Sequence, residues 1–252
     1  MNKIITTGIA LSTIFTGTVE AQAANFTLDS FDREFQKVLV DITSPESPTI
    51  VEDTSNFDTN ILGGFRTILA QAVNPTRVGE VVSEVARASF ISTDGEFSIS
   101  SSAGIEGFTR VTYDGNSVSG DSGSLSLNLL ETNTDAFGLE VLSIDLTGEL
   151  TFVVVGNNGE TASLSKSNIT EEEVFFDYDK FALSGSTFED IFTDVASISF
   201  EVSGPEEFDA TFDNIRAVET SVSVFEYSSV LSLIGIFALA AVGLKNKMGK
   251  ES

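Results

Sequence analysis

Apolar and polar residues alternate through most of the chain between positions 24 and 222. Ala196, Ile198, Phe200 and Val202 alternate with Ser197, Ser199 and Glu201. Phe208, Ala210 and Phe212 alternate with Asp209, Thr211 and Asp213, and Leu125, Leu127 and Leu129 alternate with Ser124, Ser126 and Asn128. A period of two puts every apolar side chain of such a run on one face, the signature of a half-buried antiparallel strand. Further strands are expected at 26–31, 38–42, 65–72, 78–91, 97–101, 109–113, 141–146 and 151–155. Turn-forming triplets punctuate them: Thr93-Asp94-Gly95, Asp114-Gly115-Asn116, Asn157-Asn158-Gly159 and Ser203-Gly204-Pro205. This spacing predicts an all-β protein, an antiparallel two-sheet β-sandwich of jelly-roll type. One short helix is expected within 186–194, where Phe188, Ile191 and Phe192 share a side. Residues 44–60, which hold two of the four prolines, read as a long loop inside a single domain. The acidic stretch 171–179 reads as a strand edge kept from aggregating by its charge.

The two ends break the alternation. Lys3 precedes an uncharged apolar run over 4–19, and Ala21-Gln22-Ala23 has the small-x-small form that signal peptidase reads. Residues 1–23 are therefore expected to be a signal peptide, cut between Ala23 and Ala24. Residues 228–244 contain no charge and are followed by Lys245, Lys247 and Lys250. At about 1.5 Å per residue such a helix spans about 25 Å, the low end of what a bilayer core requires. The basic tail, 245–252, on one side and Phe225 and Tyr227 on the other favour a transmembrane helix with its tail in the cytoplasm. The resulting plan is a signal helix at 1–23, an exported domain at 24–222 and an anchor segment at 223–252.

Val224, Phe225, Glu226, Tyr227, Ser228 and Ser229, with the apolar helix and the Lys-rich end, resemble the C-terminal sorting signal of PEP-CTERM proteins. The resemblance covers about the last thirty residues and implies recognition by exosortase, a membrane-embedded cysteine transpeptidase. Glu226 stands where the family has its Glu, while Phe225 and Tyr227 replace its two prolines. Proline would hold the motif extended at the membrane surface and these residues do not enforce that shape. The resemblance thus implies sorting without fixing whether the tail is cut, and a plain anchor with an aromatic belt is the other reading. Ile61-Leu62-Gly63-Gly64-Phe65-Arg66 and Phe212-Asp213-Asn214-Ile215-Arg216 are similar to segments of cyanobacterial exported sandwich proteins. In them, Gly63-Gly64 suits a tight bend, Asp213-Asn214 suits a tie for the chain end, and Arg66 and Arg216 are expected to pair with buried carboxylates.

Composition narrows the chemistry. The 252 residues include no His, Cys or Trp, which excludes imidazole-based catalysis, disulfides, structural zinc and thiolate clusters. The net charge of −25 repels phosphate backbones, so no nucleic-acid partner is expected. Setting aside Lys3, Lys245, Lys247 and Lys250 from the 13 cations, and Glu20, Glu226 and Glu251 from the 38 acidic residues, leaves nine against 35 in the exported part. With so many carboxylates, a pair poised for glycoside hydrolysis does not stand out, and the chain is read as non-enzymatic. No cofactor is implied, except that Asp114, Asn116 and Asp121, or Asp177 and Asp179, offer the oxygens that calcium takes. Two functions follow. The first is a structural or adhesive role in the cell envelope or polysaccharide matrix, at the inner membrane or the cell surface. The second is a lectin-like carbohydrate-binding module, calcium-assisted, for which Tyr113, Tyr178 or Phe would supply the stacking ring.

Overall fold

The computed structural model describes residues 25–32, 35–41, 50–73, 85–91, 95–116, 124–170 and 172–220. The signal cleavage residues Ala21, Ala23 and Ala24, the sorting motif at 224–229, the 228–244 helix, Lys245, Lys247 and Lys250, and Asp121 lie outside them. Among the described residues no helix is long and apolar enough to cross a membrane.

The described residues form fourteen strands in chain order: β1 (Asn25–Asp29), β2 (Gln36–Asp41), β3 (Ile50–Thr54), β4 (Thr67–Val73), β5 (Val85–Ile91), β6 (Phe97–Ser101) and β7 (Glu106–Tyr113), then β8 (Ala136–Ile144), β9 (Glu149–Gly156), β10 (Thr161–Ser167), β11 (Glu173–Asp177), β12 (Ala182–Ser184), β13 (Val195–Gly204) and β14 (Asp209–Val218). One helix, α1 (Phe188–Phe192), precedes β13. The strands form two seven-stranded sheets. In the first the order is β11-β8-β14-β6-β5-β2, with β1 also on β14; in the second it is β12-β10-β9-β13-β7-β4-β3. Every pairing is antiparallel. The expected two-sheet antiparallel sandwich is the fold observed.

The alternation builds the core directly. In β4, Ile68, Ala70 and Ala72 are buried, and in β9 so are Leu150, Phe152 and Val154. Their neighbours in sequence point to the opposite face. Phenylalanines then fill the space between the layers. Phe137 of the first sheet stacks on Phe152 of the second at 4.8 Å, Phe152 meets Phe200 at 5.3 Å, and Phe200 meets Phe212 across the layers at 5.4 Å. The line continues through Phe97 to Phe31 at one end and through Tyr178 to Phe192 at the other. Offset and edge-to-face ring pairs of this kind add about 0.5–1.5 kcal/mol each to the burial of apolar area. They do here what Trp does in many sandwiches.

The structure departs from expectation at definite places. Residues 125–129 do not form a strand. Leu127 makes one bridge to Val195, Ser126 adopts φ 48°, and a 3-10 turn begins at Leu129. The reason is local: the Asn128 side chain accepts from the N–H groups of Leu130 and Glu131, which offers the backbone an alternative to a ladder. Residues 50–54, expected within a loop, are the edge strand β3, whose exposed Glu52 and Asp53 conceal its period. Strands β10 and β12 were not anticipated, because serine-rich faces mask the single buried Ala162 of β10 and β12 is exposed along its whole length. The 65–72 strand starts at Thr67, after a 3-10 turn over Leu62–Gly64 in which Gly63 and Gly64 both have positive φ. The acidic 171–179 stretch contains β11, which is indeed the edge of its sheet. Helix α1 is held by a capping box: the Thr187 hydroxyl accepts from Asp190 N, and the Asp190 carboxylate accepts from Thr187 N.

Candidate functional site

Two arginines organise the polar chemistry of the sandwich, and they lie in different environments. Arg66 is fully buried. Its Nη1 donates to both carboxylate oxygens of Asp29, at 2.9 and 2.8 Å, and its Nε donates to Gln36 Oε1 at 3.2 Å. The Tyr113 hydroxyl donates to Asp29 Oδ2 and the Phe31 N–H to Asp29 Oδ1, while the guanidinium lies 5.8 Å from the Phe31 ring centre. Burial pushes the Asp29 carboxyl above its ordinary range against the opposing pull of Arg66, and burial together with Asp29 pushes the Tyr113 hydroxyl well up. The knot ties β1, β2 and β7 to the turn before β4. Its groups face one another, so its role is structural, and the expected pairing of Arg66 with a buried carboxylate is realised here. Arg216 pairs instead with the partly exposed Glu173 on edge strand β11.

The remaining residues singled out in the sequence fall apart into separate turns and ties. Asp114 Oδ1 accepts from Asn116 N at 2.9 Å, a side-chain-closed turn after β7. Asp177 precedes a 3-10 turn over Tyr178–Lys180, within which the Asp179 carboxylate accepts from Lys180 Nζ at 2.6 Å. Asp213 and Asn214 do not tie the chain end. They form a bulge in β14, with Asn214 N donating to Asp213 Oδ1, because the ladder to β8 skips register between Phe212 and Ile215. Burial and the neighbouring charges of Glu140 and Asp32 raise the Asp213 carboxyl. The tie at the chain end is Asp135, whose Oδ1 accepts from both N and Oγ1 of Thr220, at 2.6 and 2.8 Å. Tyr113 is 0% and Tyr178 2% exposed, so neither ring is open to stack on a sugar.

The outer face of the second sheet was not anticipated. Register and alternation put three cross-strand rows on it. One runs Thr54, Thr67, Thr112, Ser199, Val153, Ser163; the next Glu52, Leu69, Arg110, Glu201, Thr151, Ser165; the third Ile50, Gln71, Phe108, Ser203, Glu149, Ser167. Hydroxyls pair along these rows, Thr54 with Thr67, Thr112 with Ser199 and Thr151 with Ser165, at 2.7–3.0 Å. Arg110 Nε donates to Glu201 Oε1 at 2.6 Å, with 43% of the arginine side chain exposed. Its guanidinium lies 5.4 Å from the centre of the half-buried Phe108 ring. Beside this pair opens a groove of about 350 Å³ lined by Gln71, Val73, Glu106, Phe108, Arg110 and Ser203. A carboxylate, an amide, a guanidinium, a hydroxyl and an aromatic ring thus converge on one open hollow. The segment Glu106–Tyr113 carried the signal, since its alternation places Phe108, Arg110 and Thr112 opposite buried Thr109, Val111 and Tyr113. Nothing in the sequence told which of its faces would meet solvent beside a hollow.

A second groove, about 480 Å³, lies at the other end of the sandwich between Thr27, Ser30, Thr59, Asn60, Ile61, Leu62 and Gly63. It is hydroxyl- and amide-lined but has no ring. Gly63 is required there: at φ 73°, a Cβ would come within 2.8 Å of Gly115 Cα.

No family model matches the chain, and no curated protein matches it. Among solved structures it is similar to the family 11 carbohydrate-binding module of the cellulosomal cellulase Lic26A-Cel5E of Clostridium thermocellum, at 9% identity and TM-score 0.31, over 73% of this chain and 95% of that one. The solution structure of CtCBM11 matches at 11% identity and TM-score 0.41, over 80% and 99%. An agarase, AgWH50C, matches at 9% identity and TM-score 0.39, over 79% of this chain but only 25% of the agarase. At these identities no residue is carried over from those proteins, and the groove on the second sheet is described by its own atoms.

Proposed function

We propose that this chain is a non-catalytic polysaccharide-binding module of an exported protein, and that the groove beside Phe108 and Arg110 is its binding site. The observation that carries this reading is the convergence of a half-buried aromatic ring with a guanidinium, an amide, a hydroxyl and a carboxylate on an open sheet face. A pyranose presents a C–H face to a ring and fixed hydroxyls to bidentate and amide partners, which is the chemistry these residues offer. Phe in place of Trp or Tyr gives a smaller platform without a polar handle, so affinity should be modest and spread over the rows of hydroxyls. Export by the signal peptide, processing by signal peptidase, and sorting by exosortase or anchoring through residues 228–244 belong to the same proposal. So does an adhesive role in the envelope or matrix. The test is titration of the full chain against a panel of soluble β-glucans, agaro-oligosaccharides and acidic exopolysaccharide, with Arg110→Ala and Phe108→Ala alongside. Saturable binding weakened at least about tenfold by each variant supports the reading. Binding to none of the panel, or binding indifferent to both variants, ends it. Loss of binding on adding EDTA would bring calcium into the site.

A further inference from the structure

The groove at the other end of the sandwich has an aromatic ring beside it. It opens between β1, which pairs with β14 alone among the described strands, and the turn at 59–63. Phe57 begins the same loop and is 65% exposed, more than any other large apolar side chain among the described residues. Its ring lies over Gly64, the neighbour in sequence of groove-lining Gly63, so close that a Cβ on Gly64 would come within 2.4 Å of it. Phe65 holds it from the side, edge-on at 5.4 Å. The ring is thus fixed in place and open over most of its area.

The turn is closed by its own hydrogen bonds. Asp58 N donates to Gly64 O and Gly64 N to Ile61 O, each at 2.8 Å. Asp58 Oδ1 accepts from N and Nδ2 of Asn60, at 2.8 and 2.7 Å, which orients the amide and leaves its Oδ1 as an acceptor. On the second sheet the hydroxyls pair with one another, as Thr54 does with Thr67. Those of Thr27, Ser30 and Thr59, which line this groove, have no hydrogen-bond partner among the described residues. A hydroxyl donates and accepts, so three unpaired ones around a hollow match a ligand rich in hydroxyls. No lining residue is charged, whereas Glu106 and Arg110 line the first groove.

We infer that this groove and the Phe57 ring form a second saccharide site, for a short stretch of uncharged sugar, separate from the site beside Phe108. A pyranose would lay its C–H face on Phe57 and exchange hydrogen bonds with Thr27, Ser30, Thr59 and Asn60. The two grooves stand at opposite ends of β4, whose seven residues span about 20 Å. A chain with two such sites ties two stretches of polymer together. The inference rests on the polysaccharide binding proposed above.

The chain contains no Trp, so Phe57→Trp puts a single indole at the groove. The full chain carrying it is titrated with neutral mixed-linkage β-glucan oligosaccharides and agaro-oligosaccharides, with and without Phe108→Ala and Arg110→Ala. Indole emission should shift saturably, and equally in both backgrounds. Without the indole, calorimetry should count two oligosaccharides per chain, and one after Phe57→Ala. Thr27→Val removes a hydroxyl and keeps the side chain's shape. It should weaken this site about threefold or more without moving the thermal melt. A single bound oligosaccharide that is lost with Phe108→Ala, together with a silent indole, overturns the second site and leaves the first standing. An emission shift that disappears with Phe108→Ala overturns it as well. Binding that survives Phe108→Ala and Arg110→Ala but is lost with Phe57→Ala supports this site and ends the other. No binding by either measure ends both.

Discussion

Arg66 and Arg110 are the same side chain in the same company, each paired with a carboxylate and each near a phenylalanine ring, at 5.8 and 5.4 Å. Their surroundings make them different objects. Arg66 has no exposed side-chain surface, and Asp29, Gln36 and Tyr113 turn towards it or its partner. A buried pair of this kind contributes little net stability over a hydrophobic pair, but losing one half leaves a desolvated charge. Arg110 keeps 43% of its side chain in solvent, where an ion pair contributes about 0–1 kcal/mol and its donors stay accessible. Burial turns a guanidinium into part of the scaffold, and exposure beside a hollow leaves one for a ligand.

The contrast is sharpest in stability. Arg66→Ala should cost about 3–5 kcal/mol. For a domain of this size that lowers Tm by roughly 10 °C in a thermal melt. The paired replacement Asp29→Leu with Arg66→Met should recover about 2 kcal/mol or more of that loss, since no unpaired charge remains. A double variant as unstable as the single one would show that the knot's hydrogen bonds to Gln36 and Tyr113, and not its charges, hold the sheets. Arg110→Ala should leave the melt within about 1 kcal/mol of the parent while glycan binding falls. A large loss of stability there would erase the distinction between the two arginines.

The smallest expected effect concerns a third carboxylate between these extremes. Asp213 at the β14 bulge is raised by burial and by Glu140 and Asp32. Its folded state holds the proton more tightly than the unfolded state does. The associated stability is therefore present below the unfolded value near 4 and is lost as pH rises through the raised folded value. Asp213→Asn keeps the acceptor for Asn214 N, so it should stabilise by about 0.5 kcal/mol or less at pH 7 and make no difference at pH 3, after solvent screening of a half-buried group. Denaturant melts at the two pH values check the sign.

The elements with a strong period and a buried face were legible from the alternation alone. Residues 196–202 and 208–212 alternate without interruption; the first run lies within β13 of the second sheet, and the second leads into β14 of the first. Elements whose period is set by an edge were not, as β3 and β12 show: an edge strand buries so little that its sequence reads as loop. The leucine alternation of 125–129 misled for the opposite reason, because Asn128 closes a turn within the run. Arg66 stood out as one of nine cations in an acidic domain and did find a carboxylate. Its partner, 37 residues earlier in the chain, could not be chosen from among 35.

By itself the sequence determined the period, and with it the all-β sandwich and a core of Phe without Trp, because a face of alternating apolar residues has to be covered by another such face. It also determined what chemistry is absent, since missing side chains cannot be supplied by folding. Only the tertiary structure decided which arginine is sealed and which is open, that Phe108 and Gln71 share a hollow, and that residues 25 and 218 stand side by side. Those are relations between strands far apart in the chain, and they are set by register and layer packing that no local pattern encodes.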